Sequence, residues 1–333
     1  MVLLCKRLSK RLHKGLVTEM NRATIKDVAR IAGVDVATVS RSLSNKPYVA
    51  EDTKARIAAA VETLGYRPSA AARAMVSKRT RTIAMLVPHF TDMAFDWIIT
   101  GAEREARKAG YTLLVAGIEA VEAGFFSEDR VDGVLVIDPR RFQQQLELMA
   151  GIPRVSLEDV PMDNRGGARA LAQHLHDLGH RQVLFLGGPA DSPYSLERLL
   201  GIREVFPSAA WQASHWTIEC GYELLKDGLP IGMTAVLAAN DFIALGALRA
   251  LSEHGLRVPE DVSLTGFDDE PIARFLTPAL TTVRQDLEGQ GARATRLLLD
   301  RLEGSPELAV GLPQPVEIII RESTAAVYIG GKL

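Results

Sequence analysis

From Thr82 onward the chain alternates two apolar patterns. Short apolar runs read as strands: Ile83–Val87, Thr112–Ala116, Gly133–Ile137, Arg154–Leu157, Val183–Leu186, Ala235–Ala239, Val262–Thr265 and Glu317–Ile320. Between them, apolar positions recur at helical spacing, notably in Phe95–Ala109, Gly166–Leu178, Leu196–Val205, Phe242–His254 and Glu288–Leu302. Apolar strands alternating with amphipathic helices predict a parallel α/β sheet. Upstream the period is helical only. Ile25, Val28, Ala29 and Ala32 share one face, and Val36, Val39 and Leu43 are expected to face inward from a second helix.

The ends of these two helices are written in the sequence. Thr24 followed by Asp27 has the form of a capping box. Gly33 supplies a left-handed exit, and Asp35 is a good N-cap for the next helix. Two short helices joined by a Gly-containing turn of about three residues have the form of a DNA-binding helix-turn-helix. An ordinary helical hairpin, with Arg41 as a surface charge, fits the same spacing.

Composition narrows the class. With 333 residues and 47% apolar content, the chain has the length for two or three domains and is not a disordered one. No apolar run approaches the roughly 20 residues of a membrane span. Cys5 and Cys220 cannot form a disulfide framework and lack zinc-site spacing, which fits a reduced, cytoplasmic protein. The formal net charge of −2 hides an asymmetry. Residues 1–21 hold five Lys/Arg against one acid, residues 22–81 hold twelve against five, and residues 82–333 hold 22 against 35. A basic head on an acidic body suits a nucleic-acid reader with a separate regulatory domain. Residues 1–21, with leucines at 4, 8, 12 and 16, fit three readings: a tail touching DNA or membrane, a solvated extension, or a stretch ahead of a native start at Met20. The last is the expectation, and no function is assigned to the segment.

TIKDVARIAGVDVATVSRSLSNKPYV, followed by LGYRPSAAARAM, resembles the head of the LacI/GalR family of bacterial transcriptional repressors, and the resemblance runs over about residues 23–323. It implies a helix-turn-helix domain at 22–67, a hinge helix and linker at 68–81, and an effector-binding and dimerisation domain at 82–333. The fold so implied is a small all-α head joined to a two-lobed, periplasmic-binding-protein-like core of parallel α/β sheets. A homodimer on a pseudo-palindromic operator follows. By resemblance Val36, Ala37 and Arg41 face the major groove. Arg41 has the fork for guanine O6 and N7, worth roughly 1–3 kcal/mol of discrimination, and the other two offer apolar contacts. The hydroxyls of Thr24, Thr38, Ser40 and Thr53 suit phosphates, and as helix caps they are equally explained. Tyr48 and Tyr66 either reach the DNA backbone or pack in the core. In the hinge, Ala72 and Met75 are expected at the minor groove, with Met75 as an apolar wedge; a flexible Ala-rich linker is the other reading. Two positions depart from the family. Ala50 stands where a Ser usually caps the third helix, at a cost of about 1 kcal/mol. Ser44-Asn45 replaces the usual Asn-Gly.

No G-x-G-x-x-G follows the first strand, and the chain has no P-loop, Ser nucleophile elbow or metal-spaced His pair. No cofactor and no enzyme chemistry is implied. The resemblance instead implies an effector in the cleft, held by Phe95, Arg198, Trp216, Asn240 and Asp268. Each has a plainer reading: Asn240 or Asp241 as a helix cap, Arg198 as a surface ion pair, Trp216 as core. Together they favour a saccharide over a purine. Only 14 residues separate Ala116 from Val131, near the minimum for a parallel crossover, and the loops at Glu158–Met162 and Pro207–Ala213 read as trimmed. Effector identity therefore stays open. The tail after Thr324 has no leucine heptads, so a dimer is the default. The expected function is an effector-controlled, operator-binding regulator in the cytoplasm, associated with the nucleoid and not with membrane. A sugar-binding protein of periplasmic type with a vestigial head, and a regulator controlled by a partner protein, are the alternatives.

Overall fold

The computed structural model describes residues 23–43, 48–66, 79–88, 94–122, 126–127, 129–305 and 311–327. The chain divides into two compact units, residues 1–80 and 81–333.

In the first unit, α1 (Ile25–Ala32) begins at Thr24, where the capping box forms in full, and ends at Gly33, whose φ of 64° is the left-handed exit. Helix α2 is Val36–Leu43 and α3 is Glu51–Leu64. Val28, Ala29, Ala32, Val39, Ile57 and Ala60 make a small core shared by the three helices. One expectation fails here: of the three apolar positions of α2 assigned inward, only Val39 is buried. Val36 and Leu43 are 39% and 38% exposed, because this short helix meets its neighbours along a single narrow stripe.

The second unit has two lobes. In the N-lobe, β1 (Thr82–Leu86), β2 (Thr112–Ala116), β3 (Gly133–Val136) and β4 (Arg154–Ser156) form a parallel sheet in the order β2-β1-β3-β4. The period of two in β1 is visible in its packing. Ile83 and Met85 join the core beneath α4 (Ala94–Lys108), whereas Ala84 and Leu86 join the opposite one with Val121, Phe142 and Met149. Among its described residues, the short β2–β3 crossover carries a five-residue helix, α5 (Ile118–Glu122). Helix α6 (Gln143–Leu148) precedes β4.

In the C-lobe, α7 (Asn164–Asp177), β5 (Val183–Gly187), α8 (Pro193–Val205), β6 (Ala210–Ala213), α9 (Ile218–Leu225), β7 (Ala235–Ala238), α10 (Asp241–Glu253) and β8 (Ser263–Thr265) build a second parallel sheet, ordered β6-β5-β7-β8. The segment Pro207–Ala213, read from sequence as a trimmed loop, thus contains the edge strand β6. The run at Glu317–Ile320 also differs from expectation: β10 (Glu317–Ile319) pairs antiparallel with β9 (Thr282–Arg284), outside both parallel sheets.

After β9 the chain returns to the N-lobe as α11 (Leu287–Leu302), whose Leu297 and Leu298 pack in the same core as Ile83 and Ile98. Helices α4 and α11 cross on reciprocal glycines. A Cβ added at Gly101 would stand 1.8 Å from the Glu288 carbonyl oxygen, and one at Gly291 would stand 2.0 Å from that of Ile98. The connection from β4 to α7 and the one from α11 to β10 are tied together: Asp163 N donates to Gln314 O and Gln314 N to Pro161 O, both at 2.9 Å. Among the described residues no helix is long and apolar enough to cross a membrane.

Candidate functional site

The head presents one exposed face of α2. Val36, Ala37 and Arg41 are exposed, while Thr38 and Ser40 are half-buried. Ala37 and Arg41, four positions apart, are neighbours on the helix surface, and Val36 is exposed beside them at the start of the helix. Asp35 anchors it. Its carboxylate accepts the Thr38 amide at 2.7 Å and the Thr38 hydroxyl at 2.9 Å, and the amide bond foremost holds its pKa below the usual range. Arg41 Nη2 in turn donates to Thr38 Oγ1 at 3.1 Å. The Thr24 hydroxyl serves the capping box, donating to Asp27 at 2.7 Å, and Thr53 Oγ1 accepts from Arg56 at 3.4 Å. The two tyrosines separate. Tyr66 is half-buried against the head core, whereas Tyr48 is 97% exposed and cannot be core. Ala72 and Met75 lie outside the described residues.

In the second unit a cavity of about 480 Å³ lies between the lobes, and Phe95, Arg198, Trp216, Asn240 and Asp268 all line it. The sheets place them there: Asn240 follows β7, Asp268 follows β8, and Arg198 lies on α8 after β5, all beyond carboxyl ends of strands. Arg198 is 5% exposed, so the surface ion pair is excluded. Its Nε donates to Asn164 Oδ1 at 2.9 Å, Nη1 to the Ala239 carbonyl, and Nη2 to Asp268 Oδ1 at 3.3 Å. The guanidinium lies over the Phe267 ring, 3.8 Å from its centre, and 5.8 Å from that of Trp216. Arg198 therefore knits together four segments of the C-lobe wall.

Asp268 sits at φ 104° and Asp269 at φ 54°, two consecutive non-glycine residues in a sparsely populated region. Surrounding bonds hold them there: Asp268 N to Val283 O at 2.7 Å, Gln285 Nε2 to Asp268 Oδ1 at 2.7 Å, and Arg284 to Asp269 at 2.7 Å. Asn240 does cap α10, accepting from Ile243 N at 2.8 Å, and its amide also donates to Trp216 O at 3.2 Å. Capping and cavity lining coincide in this residue. Asp241, fully buried, braces the strained turn instead, accepting from Glu270 N and Thr282 Oγ1 at 2.6 Å. Burial pushes its carboxyl well above the ordinary range.

Sequence reasoning missed Asn164, Tyr194 and Gln285, all in the cavity wall. None carries a spacing signal, since each is brought in from the end of a different element.

Similarities to known proteins follow the same division. Residues 24–69 match the family described as "Bacterial regulatory proteins, lacI family", and residues 172–324 match "Periplasmic binding protein-like domain". The HTH-type transcriptional repressor PurR of Vibrio campbellii is 34% identical over 329 residues, covering 90% of this chain and 98% of that protein. The HTH-type transcriptional regulator CelR of Thermobifida fusca is 32% identical over 334 residues, covering 91% and 98%. Among solved structures, the Lac repressor dimer bound to operator and the anti-inducer ONPF superposes with a TM-score of 0.83 at 28% identity, covering 92% of this chain and 100% of that one. A CelR–cellobiose complex superposes at 0.67 with 31% identity, covering 91% and 100%. The chain belongs to the lacI family of bacterial regulatory proteins, and is a DNA-binding transcriptional regulator and not an enzyme.

Proposed function

We propose that this chain represses transcription by binding a pseudo-palindromic operator as a homodimer, under the control of a saccharide held between the lobes of its core. The observation that carries this reading is convergence. The five residues assigned to the effector by sequence, drawn from elements 173 positions apart, line one cavity. That cavity has the size and mixed apolar and polar lining of a small-molecule site. Relatives support the ligand class: CelR is solved with cellobiose, and a lacI-family regulator of Enterococcus faecium with ribose.

In the head, Arg41 would read guanine, Val36 and Ala37 would make apolar base contacts, and Thr24, Thr38, Ser40 and Thr53 would hold phosphates. Ala72 and Met75 would enter the minor groove, and the regulator would act in the cytoplasm on the nucleoid. An effector that binds the operator-competent and operator-incompetent states unequally shifts the balance between them by that difference in affinity. The test is selection of an operator from random duplexes, then titration with and without a sugar panel. Arg41→Ala should cost roughly 1–3 kcal/mol on the selected operator and far less on bulk DNA. If no sequence outcompetes bulk DNA, the proposal falls.

A further inference from the structure

Two residues beyond the cavity carboxylate of Asp268, the C-lobe takes hold of the N-lobe. Glu270 is buried, and its Oε2 accepts a hydrogen bond from Trp97 Nε1 at 3.3 Å. Trp97 stands on α4, beside Ile98 and two positions from Phe95. Those two neighbours line the cavity, and neither Trp97 nor Glu270 does. The pair therefore joins the lobes outside the space that a ligand would fill.

The segment between Asp268 and this contact is stiff. Asp268 and Asp269 both have positive φ, and Glu270 has the extended backbone, φ −57° and ψ 149°, that a residue before proline prefers. Every amide in it is bonded: Asp268 N to Val283 O at 2.7 Å, Asp269 N to Thr282 Oγ1 at 3.4 Å, and Glu270 N to Asp241 Oδ2 at 2.6 Å. A turn with so few conformations open to it answers a pull on one side chain by tilting as a unit. At its cavity end the Asp268 carboxylate accepts from Arg198 and from Gln285. At its far end it meets α4, whose Gly101 lies against the α11 backbone with no room for a Cβ. Helix α4 cannot slide alone, so a tilt of the turn is passed to the packed α4–α11 pair.

We propose that Trp97 and Glu270 are positioning residues of the regulatory step. The turn Asp268–Glu270 is a lever between the lobes, and a change in the bonding of the Asp268 carboxylate repositions α4 through the Trp97 indole. This rests on Asp268 as a residue of the effector cavity and names the route by which that cavity reaches the N-lobe. The lever is testable with no effector present, so its failure leaves the reading of the cavity standing.

The experiment is fluorine NMR of the full-length chain labelled with 5-fluorotryptophan. The chain has three tryptophans, and Trp97→Phe assigns the Trp97 resonance by its loss. Asp268→Asn keeps the shape of the side chain and weakens its pairing with Arg198, and it should move the Trp97 resonance. Gln285→Met alters the same carboxylate through its other bond and should move it too, which covers the case in which Asp268→Asn does not fold. Arg249→Ala, which breaks an exposed ion pair with Glu253, is the control and should leave the resonance in place. A Trp97 resonance that stays put in the folded cavity variants overturns the lever. In a Glu270→Met background the response to Asp268→Asn should vanish, and its persistence overturns the role of the contact. Trp97→Phe itself keeps a ring and removes the donor. Spin labels at Leu148 and Ile231, diluted with unlabelled chain, should show the lobe balance moved several-fold towards open. An unchanged distance distribution overturns the proposal.

Discussion

The phenol of Tyr194 donates a hydrogen bond across the cleft to the carbonyl oxygen of Ile137, 3.3 Å away in the opposite lobe. Burial, reinforced by the charges of Asp138 and Glu158, pushes its pKa well above the ordinary range, so it remains a donor at any physiological pH. Beside it Arg140 donates to the Asp191 carbonyl at 3.3 Å, again between lobes, and Trp97 Nε1 reaches Glu270 at 3.3 Å. Part of the closure energy of this core is therefore built into the chain itself.

Tyr194→Phe removes one of these clasps and little else. A neutral hydrogen bond contributes about 0.5–1.5 kcal/mol net, so the balance between closed and open lobes should move several-fold towards open. Spin labels at the exposed positions Leu148 and Ile231, with Cys5 and Cys220 replaced by serine, report the separation of the lobes. An unchanged distance distribution in the variant would show that the bond does not hold the cleft.

Arg198→Met should destabilise the core by about 3–5 kcal/mol, because it leaves the Asp268 carboxylate buried without its partner. Arg198→Lys should recover little, since one ammonium cannot replace a planar fork that reaches three acceptors. Adding Asp268→Asn to Arg198→Met should restore part of the loss. Calorimetry of the wild type, Arg198→Met, Asp268→Asn and the double variant closes the cycle, and strict additivity would refute the coupling.

Helix α3 starts at Ala50 with an extended backbone, φ −59° and ψ 145°, and no side-chain cap. The head core is small, so a cap weighs heavily there. Ala50→Ser should stabilise the head by about 1 kcal/mol in denaturant unfolding. No gain would mean that the helix end is satisfied in another way.

Burial lowers the pKa of His174 and of His180 below 6.5. His180 lies between Thr234 Oγ1 at 2.9 Å and Ser263 Oγ at 3.0 Å, and His174 bonds Thr324 at 3.0 Å. Around them, Asp177 favours protonation of His174, and Arg181 opposes that of His180. The unfolded chain takes up protons first as pH falls past 6.5, so stability present above that value is lost towards the lowered folded pKa. The melting temperature should fall on acidification through this window, and His180→Gln should flatten the slope.

Much of this was legible in the sequence, and the misses have physical causes. The strands at Ile83, Val183 and Ala235 are buried on both faces, so their apolar runs are continuous. Strand β6, Ala-Trp-Gln-Ala, is a half-exposed edge with no β-branched residue and leaves no such run. Arg198 was legible as a cleft residue. That its fork is engaged by the protein itself was not, because Asn164, Ala239 and Asp268 approach it from 34 to 70 positions away.

The reciprocal glycine crossing of α4 and α11 fixes an order of events during synthesis. The N-lobe begins at Thr82, yet the helix that closes its sheet is made only after the whole C-lobe sheet has been translated. Until then the apolar side chains of Ile83, Met85 and Ile98 lack their cover, a state prone to aggregation at ribosomal rates of about 5–20 residues per second. A chain ending at Asp286 should bind a hydrophobic dye that the complete chain excludes. The N-lobe of this protein cannot finish folding until a helix from near the end of the chain arrives.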